Sequence, residues 1–406
     1  MDLIQKTQHY LKKEKMDGWL LYYFDHNNPH ALDFLQLSPK THISRRIFYW
    51  IPADGQPVKI LHAIEQKLLD HLPGEKQTYD SLQSLISCLK KTLQNASVVA
   101  MEYSPCNALP YISKVDAGTK EMVEQQGVDV VSSAPFLIYL NSTLSQNQIL
   151  LQQKTAHFLE MTAQQIFDEL ELALDQGKKI SEYHVQQKII DYFGKNGYVT
   201  CHDPICAFGK NTADPHYSPT ATSSSFLEPQ MPIMIDIFCK SHVPEAIYAD
   251  ITKMGFSAQK PSKEFETTFS LVKHAQQLAY DLLAERLSLG QTVKGCALDQ
   301  VARKYLHSQN VGEFFRHRLG HNIHQQLHGP GTHLDSFETF DDRPLIPSTC
   351  FSIEPGIYYP GKFGVRLEYD VLILPDSTPS IQGGKQETIF TFSAKKKPLT
   401  TTSLIL

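Results

Sequence analysis

Hydrophobic and polar positions along the chain change period repeatedly, and the changes mark out its elements. Leu3 to Lys15 carries apolar residues at helical spacing, and Trp19-Leu20-Leu21-Tyr22-Tyr23-Phe24 is a continuous run suited to a buried strand. Arg46 to Ile51 and Val58 to His62 predict strands around the turn residues Asp54-Gly55. Leu82, Leu85, Ile86, Leu89 and Leu93 form one helix face, Val98 to Met101 a short strand, and Lys120 to Gln126 a helix ending at Gly127. This alternation indicates an α/β layer domain.

A polar stretch, Asn141 to Asn147, then leads into a different rhythm. Ile149 to Leu174 predicts a long helix ending at Gly177, and Ser181 caps a second helix to Phe193. Strand-like runs follow at Ile205 to Phe208, Ile233 to Phe238 and Ala246 to Thr252, then helices at about Glu264 to Arg286 and Ala297 to Ser308. Strands over Cys350 to Tyr359 and Val365 to Leu374 come last. Strands and helices in separate blocks predict an α+β domain. At 406 residues the chain exceeds one ordinary core. The expected division is 1–145 and 146–406, with no internal repeat.

Composition narrows the function. Hydrophobic residues make up 41% and charged residues 20%, as in globular proteins, and the net charge of −5 gives no basic field for nucleic acid. Lys395-Lys396-Lys397 reads as a solvated tail. No continuous apolar stretch near the start resembles a secretory signal, and no window approaches the roughly 18 apolar residues of a membrane span. Seven scattered cysteines read as reduced thiols, so a cytoplasmic protein is expected. Cys201 and Cys206 stand C-x4-C with no second pair nearby, a poor zinc site.

The candidate chemistry lies in the second half. Asp236 is embedded in Pro232-Ile233-Met234-Ile235-Asp236-Ile237-Phe238, and Asp250 in Ile247-Tyr248-Ala249-Asp250-Ile251-Thr252. An acid in an apolar strand loses hydration, which is costly unless a cation or donor compensates. Either could alone end a strand or accept a hydrogen bond; together, fourteen residues apart, they suit a hairpin presenting both carboxylates. Glu354 precedes Pro355-Gly356 at a strand end. Arg366, Glu368 and Asp370 share one face of a strand, a face that solvation would also explain. His317, His321, His324 and His328 are spaced 4, 3 and 4 as on a helix face, but Gly320 and Gly329-Pro330-Gly331 disfavour a helix there. Four carboxylates and one imidazole (Asp236, Asp250, His321, Glu354, Glu368) balance two divalent cations and suit Mn²⁺, Co²⁺ or Zn²⁺. The ordered set points to metal-assisted hydrolysis.

Five motifs carry a resemblance: Ile235-Asp236, Tyr248-Ala249-Asp250-Ile251-Thr252, His317-Arg318-Leu319-Gly320-His321, Phe351-Ser352-Ile353-Glu354-Pro355-Gly356-Ile357-Tyr358 and Gly364-Val365-Arg366-Leu367-Glu368. In order and spacing the chain resembles the creatinase/aminopeptidase P/prolidase group of pita-bread metallopeptidases, on the Xaa-Pro peptidase side. Met101-Glu102-Tyr103-Ser104-Pro105, at a strand end, is similar to the creatinase-type N-terminal domain. The resemblance implies a dinuclear centre, Mn²⁺ foremost, with Asp250 and Glu368 bridging, Asp236 on one metal, and His321 and Glu354 on the other. It implies Glu354 as the base for a metal-bridging hydroxide, His216 at the scissile region, His317 and His328 on the substrate and its tetrahedral intermediate, and Arg366 orienting their hydrogen bonds. The implied activity is Xaa-Pro aminopeptidase, with a prolidase-type dipeptidase as the alternative and a non-catalytic binding protein further behind. A peptide with proline second is the implied partner, and a homodimer the implied assembly.

Some positions depart from the group's common pattern. The Asp236–Asp250 gap is longer, through Ser241 to Glu245, and Gly320-His321-Asn322-Ile323-His324 replaces a glycine-rich run. Gly329-Pro330 follows His328 where an acid is usual, and Tyr369 replaces a frequent aspartate. Asn322 and His324 are expected to add bulk near the substrate pocket.

Overall fold

The apolar run at residues 18–23 lies at the heart of a sheet covered on both faces. The computed structural model describes residues 3–393 and divides the chain into two compact units, Met1–Asn141 and Ser142–Leu406; the lysine cluster at 395–397 lies outside the described residues. In the first unit α1 (Leu3–Lys13) precedes β1 (Gly18–Tyr23), then come α2 (Pro29–Phe34), β2 (Ile47–Pro52), β3 (Val58–His62), β4 (Glu75–Tyr79) and α3 (Leu82–Leu93). β5 (Val98–Met101), α4 (Ala117–Glu124), β6 (Asp129–Ser132) and α5 (Ala134–Asn141) complete it. The strand order is β4-β3-β2-β1-β5-β6, mixed in direction. Alternation splits β1 between two cores: Trp19, Leu21 and Tyr23 pack with Leu11, Phe34 and Phe136, whereas Leu20 and Tyr22 pack with Leu85, Leu89 and Val123.

Two elements of this unit carry no periodic signal. β4, Glu-Lys-Gln-Thr-Tyr, is a polar edge strand, for which charge is protective rather than disruptive. α5, Ala-Pro-Phe-Leu-Ile-Tyr-Leu-Asn, is apolar nearly all round. The helix expected at 120–126 starts earlier, at Ala117, because Asp116 caps it by accepting from Thr119 N at 2.8 Å.

The second unit begins with α6 (Gln146–Asp175), capped by Ser145 and Gln148, and α7 (Glu182–Lys195), capped by Ser181. Next come β7 (Tyr198–Val199), β8 (Ile205–Phe208), β9 (Pro232–Ser241), β10 (Ala249–Phe256), α8 (Lys263–Ser288) and α9 (Gly295–Ser308). Seven short strands follow: β11 (Asn322–Ile323), β12 (Thr349–Ile353), β13 (Gly356–Tyr359), β14 (Phe363–Arg366), β15 (Tyr369–Ile373), β16 (Pro379–Gln382) and β17 (Phe390–Thr391). One sheet runs β17-β10-β9-β7 with β8 also on β9, a second runs β11-β12-β15-β16, and β13 pairs with β14.

Two cores fix which way the β9–β10 hairpin faces. Ile233, Ile235, Ile237 and Ile251 pack against Leu159, Ile166 and Phe193 of α6 and α7. Met234 and Met254 point the other way, into a core with Phe265, Val272 and Leu298. The register pairs Asp236 with Thr252 and Phe238 with Asp250, so both aspartates share the Met234 and Met254 face.

The two strands expected at the C-terminal end are each broken in the middle. Cys350 to Tyr359 divides into β12 and β13 at Glu354-Pro355, and Val365 to Leu374 into β14 and β15 at Leu367-Glu368. Pro355 has no N–H for a ladder, which accounts for the first break. Each glutamate therefore sits where the chain leaves one sheet for another. Among the described residues no helix is long and apolar enough to cross a membrane.

Candidate metal centre

The five expected ligands converge from two strands, two strand breaks and the segment leading into β11. Asp236 and Asp250 stand on the inner face of the hairpin, and Glu354 and Glu368 at the two strand breaks. Leading into β11, His321 extends the β11–β12 pairing: its N–H donates to Ser352 Oγ at 3.0 Å and its carbonyl accepts from Ser352 N at 2.9 Å. His321 Nε2 lies 3.6 Å from Asp250 Oδ2 and 3.4 Å from Glu354 Oε1. Ligand atoms of Asp250, His321 and Glu368 all lie within 4.8 Å of one another.

The electrostatics make this cluster costly without a cation. Asp250 and Glu368 are 4% and 3% exposed, so water does not solvate their charge. Burial first, then Glu368 and Asp236, pushes the Asp250 carboxyl well above its usual range; burial, then Glu354 and Asp236, does the same to Glu368. Burial also raises Asp236, although Arg366 forms an ion pair with it and pulls the other way. Glu354 is pushed up to about 7 by burial, against the pull of Arg366 and Arg318.

Asp236 Oδ1, Asp250 Oδ1 and Glu368 Oε1 are buried and receive no hydrogen bond from any described residue. Buried acceptors are normally satisfied. Orphaned oxygens on apposed carboxylates fit divalent cations, with protons taking up the charge where no cation is bound. The imidazole fits too. His321 Nδ1 reaches the Asn322 carbonyl at 3.2 Å, and a carbonyl only accepts, so Nδ1 carries the hydrogen and Nε2 presents its lone pair. Burial, aided by His328 and Arg318, holds its pKa well below the ordinary value, so the ring stays neutral.

A layer of hydrogen bonds fixes these groups. Thr252 Oγ1 donates to Glu368 Oε2 at 2.7 Å and accepts from Arg366 Nε at 3.0 Å. Arg366 also donates to Tyr358 Oη at 3.1 Å and to the Pro215 carbonyl at 3.0 Å. Ser352 Oγ donates to Glu354 Oε1 at 3.1 Å. Asp370 Oδ2 accepts from Asp250 N at 3.0 Å and from Gln152 Nε2 at 2.8 Å. Solvation does not explain this strand face: Arg366 is 3% exposed and Asp370 fully buried. Tyr358, Thr252, Ser352 and Gln152 went unread as site residues because neutral side chains in apolar runs carry no chemical signal of their own.

The other histidines expected at the site lie around the same centre. His317 Nδ1 donates to the Arg318 carbonyl at 2.8 Å, so its Nε2 accepts from Tyr358 Oη at 2.9 Å. Burial, reinforced by Arg366, lowers its pKa to about 3. The His328 ring meets that of His321 edge-on, with centroids 4.4 Å apart; burial and Arg318 lower its pKa to about 4. His216 is exposed, and it follows Pro215, whose carbonyl accepts from Arg366. Residues 316–329 contain no helix, so the histidine spacing is not a helical stripe. The Asn322 side chain does not crowd the pocket. Its amide is buried, donating to the Cys350 carbonyl at 2.9 Å and accepting from Gly331 N at 2.9 Å.

A buried dinuclear-type carboxylate cage on this fold defines a metallohydrolase class. The chain belongs to metallopeptidase family M24, whose model matches residues 154–375, more than half its length. A Xaa-Pro dipeptidase of Lactobacillus delbrueckii subsp. lactis is 28% identical over 57% of this chain and 58% of its own. A Xaa-Pro dipeptidase of Lactobacillus helveticus is 31% identical over 41% of this chain and 40% of its own. The matches thus span about two-fifths to three-fifths of these relatives. Among solved structures, dipeptidase PepE of Mycobacterium ulcerans aligns over 96% of both chains with a TM-score of 0.61 at 20% identity. An X-prolyl aminopeptidase of Caenorhabditis elegans, described as a cytosolic enzyme with a di-nuclear active site, aligns over 93% of this chain and 60% of its own (TM-score 0.61, 17% identity). These likenesses show the pita-bread fold: an α/β unit followed by an α+β unit.

Proposed function

We propose that this protein is a dinuclear-metal-dependent Xaa-Pro peptidase that hydrolyses the bond between an N-terminal residue and proline. One observation carries the reading: three buried carboxylate oxygens with no donor among the described residues, beside a neutral imidazole whose Nε2 lies within 3.6 Å of two carboxylates. Two divalent cations, Mn²⁺ foremost and Co²⁺ or Zn²⁺ otherwise, would supply charge to polarise the scissile carbonyl and acidify a water. Asp236, Asp250, His321, Glu354 and Glu368 would hold them.

The remaining steps belong to the chain. Glu354 takes a proton from the attacking water and passes it to the leaving proline nitrogen, with Ser352 Oγ holding its Oε1. His216 and His328, at the edge of the cage, contact the substrate around the scissile bond and donate to developing negative charge. His317 serves the pocket through Tyr358, whose hydroxyl it holds together with Arg366. Arg366 orients the whole set by gripping Asp236, Thr252, Tyr358 and Pro215 at once.

A second reading, Xaa-Pro dipeptidase, is favoured by the two Lactobacillus relatives, both Xaa-Pro dipeptidases. We place either enzyme in the cytoplasm as a homodimer. The deciding experiment compares Xaa-Pro dipeptides with Xaa-Pro-Yaa peptides at fixed Mn²⁺, before and after chelation. Cleavage of the longer peptides, abolished by chelator and restored by Mn²⁺ or Co²⁺, supports the aminopeptidase. Cleavage of dipeptides alone selects the second reading, and turnover that survives chelation refutes the metal mechanism.

A further inference from the structure

Glu182, the first residue of α7, is a carboxylate that the proposed chemistry does not use. It is fully buried, and no described lysine or arginine pairs with it. Instead it gathers donors from one long loop. Oε1 accepts from Phe208 N at 2.6 Å and Asn211 Nδ2 at 3.0 Å; Oε2 accepts from Tyr217 Oη at 2.7 Å and Ser225 N at 2.6 Å. A buried carboxylate with only donors around it is strongly directional, and a neutral filler of the same size would not satisfy them all. Donors at positions 208, 211, 217 and 225 pin the loop at both ends and in its middle.

That middle is where His216 stands. Pro215 is held from the other side, its carbonyl accepting from Arg366. His216 N donates to Asp214 Oδ1 at 3.0 Å, and Tyr217 is held by Glu182. Upstream, Thr212 Oγ1 accepts from Gly364 N at 2.9 Å; an added Cβ at Gly364 would meet the Thr212 carbonyl at 2.2 Å, so the backbones are in close contact. The His216 ring itself makes no hydrogen bond among the described residues. Its backbone is fixed on both sides while its imidazole is left for another partner.

We propose that Glu182 is the positioning residue for His216, setting the loop that carries this histidine against the metal centre. The inference rests on the reading of His216 as a substrate-contacting group. The test replaces Glu182 by Gln in the full metal-loaded chain, which keeps the volume but turns one accepting oxygen into a donor facing donors. Hydrogen–deuterium exchange should quicken in peptides covering 209–225 and stay unchanged over 233–256 and 349–373, with Mn²⁺ affinity unchanged. On an Xaa-Pro-Yaa peptide, kcat/KM should fall about 10- to 100-fold, the scale of a misplaced binding group. In a His216→Ala background the same substitution should cost less than about threefold, since its partner is already gone. Tyr217→Phe, which removes one donor and leaves the carboxylate bonded, should give a weaker version of the same pattern and serves if Glu182→Gln does not fold. Equal losses in both backgrounds, or unchanged exchange over 209–225, would overturn the proposal. If the wild-type chain cleaves neither dipeptide nor longer peptide, the functional reading fails, and the exchange result alone decides whether Glu182 holds the loop.

Discussion

Thr252→Val tests the carboxylate cage with little change of shape. The hydroxyl donates to Glu368 at 2.7 Å and accepts from Arg366 at 3.0 Å, and valine fills the same volume without either bond. Hydrogen bonds to charged groups contribute about 1.5–3 kcal/mol each and neutral ones about 1 kcal/mol. The Arg366 bond is present with or without metal and largely cancels in a binding measurement. The Glu368 bond does not. In the metal-free site burial and the neighbouring carboxylates favour the protonated form of Glu368, whereas a bound cation requires it ionised. The donor is therefore worth roughly 1–2 kcal/mol more in the loaded state, which makes Thr252→Val about 5- to 30-fold weaker for Mn²⁺. The assay is competition against a chromophoric chelator at neutral pH, with thermal unfolding of the metal-free protein measured separately. Metal-free stability should fall by about 1–3 kcal/mol because Arg366 Nε loses its acceptor. Thr252→Ser should restore both quantities. An affinity within twofold of wild type, alongside the expected loss of stability, would refute Glu368 as a ligand oriented by Thr252.

Three further outcomes follow from the same geometry. Glu354→Gln should leave thermal stability close to wild type and lower kcat by about 10²- to 10⁴-fold, the usual contribution of an acid–base group; turnover near wild type would remove it as the base. Loading the metal-free site should release protons, because burial and the neighbouring carboxylates raise Asp250 and Glu368 toward their protonated forms, whereas bound cations require them ionised. Affinity should accordingly rise with pH, and calorimetry in two buffers of different ionisation enthalpy would expose an absence of release. The third concerns Glu102, buried in the first unit and bonded to Trp19 and Asn28, with a pKa raised from 4.5 to about 7 mainly by burial. A raised carboxyl stabilises the fold below the unfolded pKa and loses that contribution as pH rises through the folded one, here about 3 kcal/mol between roughly pH 4.5 and 7. Glu102→Gln should flatten that slope in urea unfolding followed by tryptophan fluorescence, since both tryptophans, Trp19 and Trp50, belong to this unit; an unchanged slope would refute the assignment.

The element types were largely readable because their periods differ. The run at 19–24 and the helices at 82–93, 149–174 and 264–286 all follow from spacing that burial enforces. What escaped did so for definable reasons. β4 is a polar edge, α5 has no polar face, and both C-terminal strands hide a mid-run change of sheet that alternation alone does not register. The candidate ligands stood out because acids in apolar strands are anomalous. Their partners did not. Asp370 looks like one more polar residue on an open face until Gln152, 218 positions away in the chain, is found to meet it. Glu182 looks like an ordinary acid in the first turn of a helix.

Two of the departures from the common motif pattern, the longer hairpin and His324, are physically linked. The long Asp236–Asp250 interval leaves the pairing of Asp236 with Thr252 intact, so the extra residues go into the tip of the hairpin and not into the cage. That tip packs against the segment where His324 stands in place of glycine. Tyr248 N donates to the His324 carbonyl at 3.0 Å, Lys240 Nζ to the Gln325 carbonyl at 2.6 Å, and Gln325 Nε2 back to the Pro244 carbonyl at 3.1 Å. The Lys240 ammonium also lies 4.9 Å from the centre of the Tyr248 ring. Longer hairpin and bulkier segment thus form one connected wall beside His321, each supplying bonds the other needs. A glycine at 324 alone would keep these backbone bonds but remove the half-buried imidazole next to Lys240, whereas a shortened hairpin would leave the Gln325 side chain and the 324–325 carbonyls without partners. Differences in substrate choice from relatives with the shorter hairpin therefore have to be sought in the pair of segments together, and a single exchange at either one is the wrong experiment.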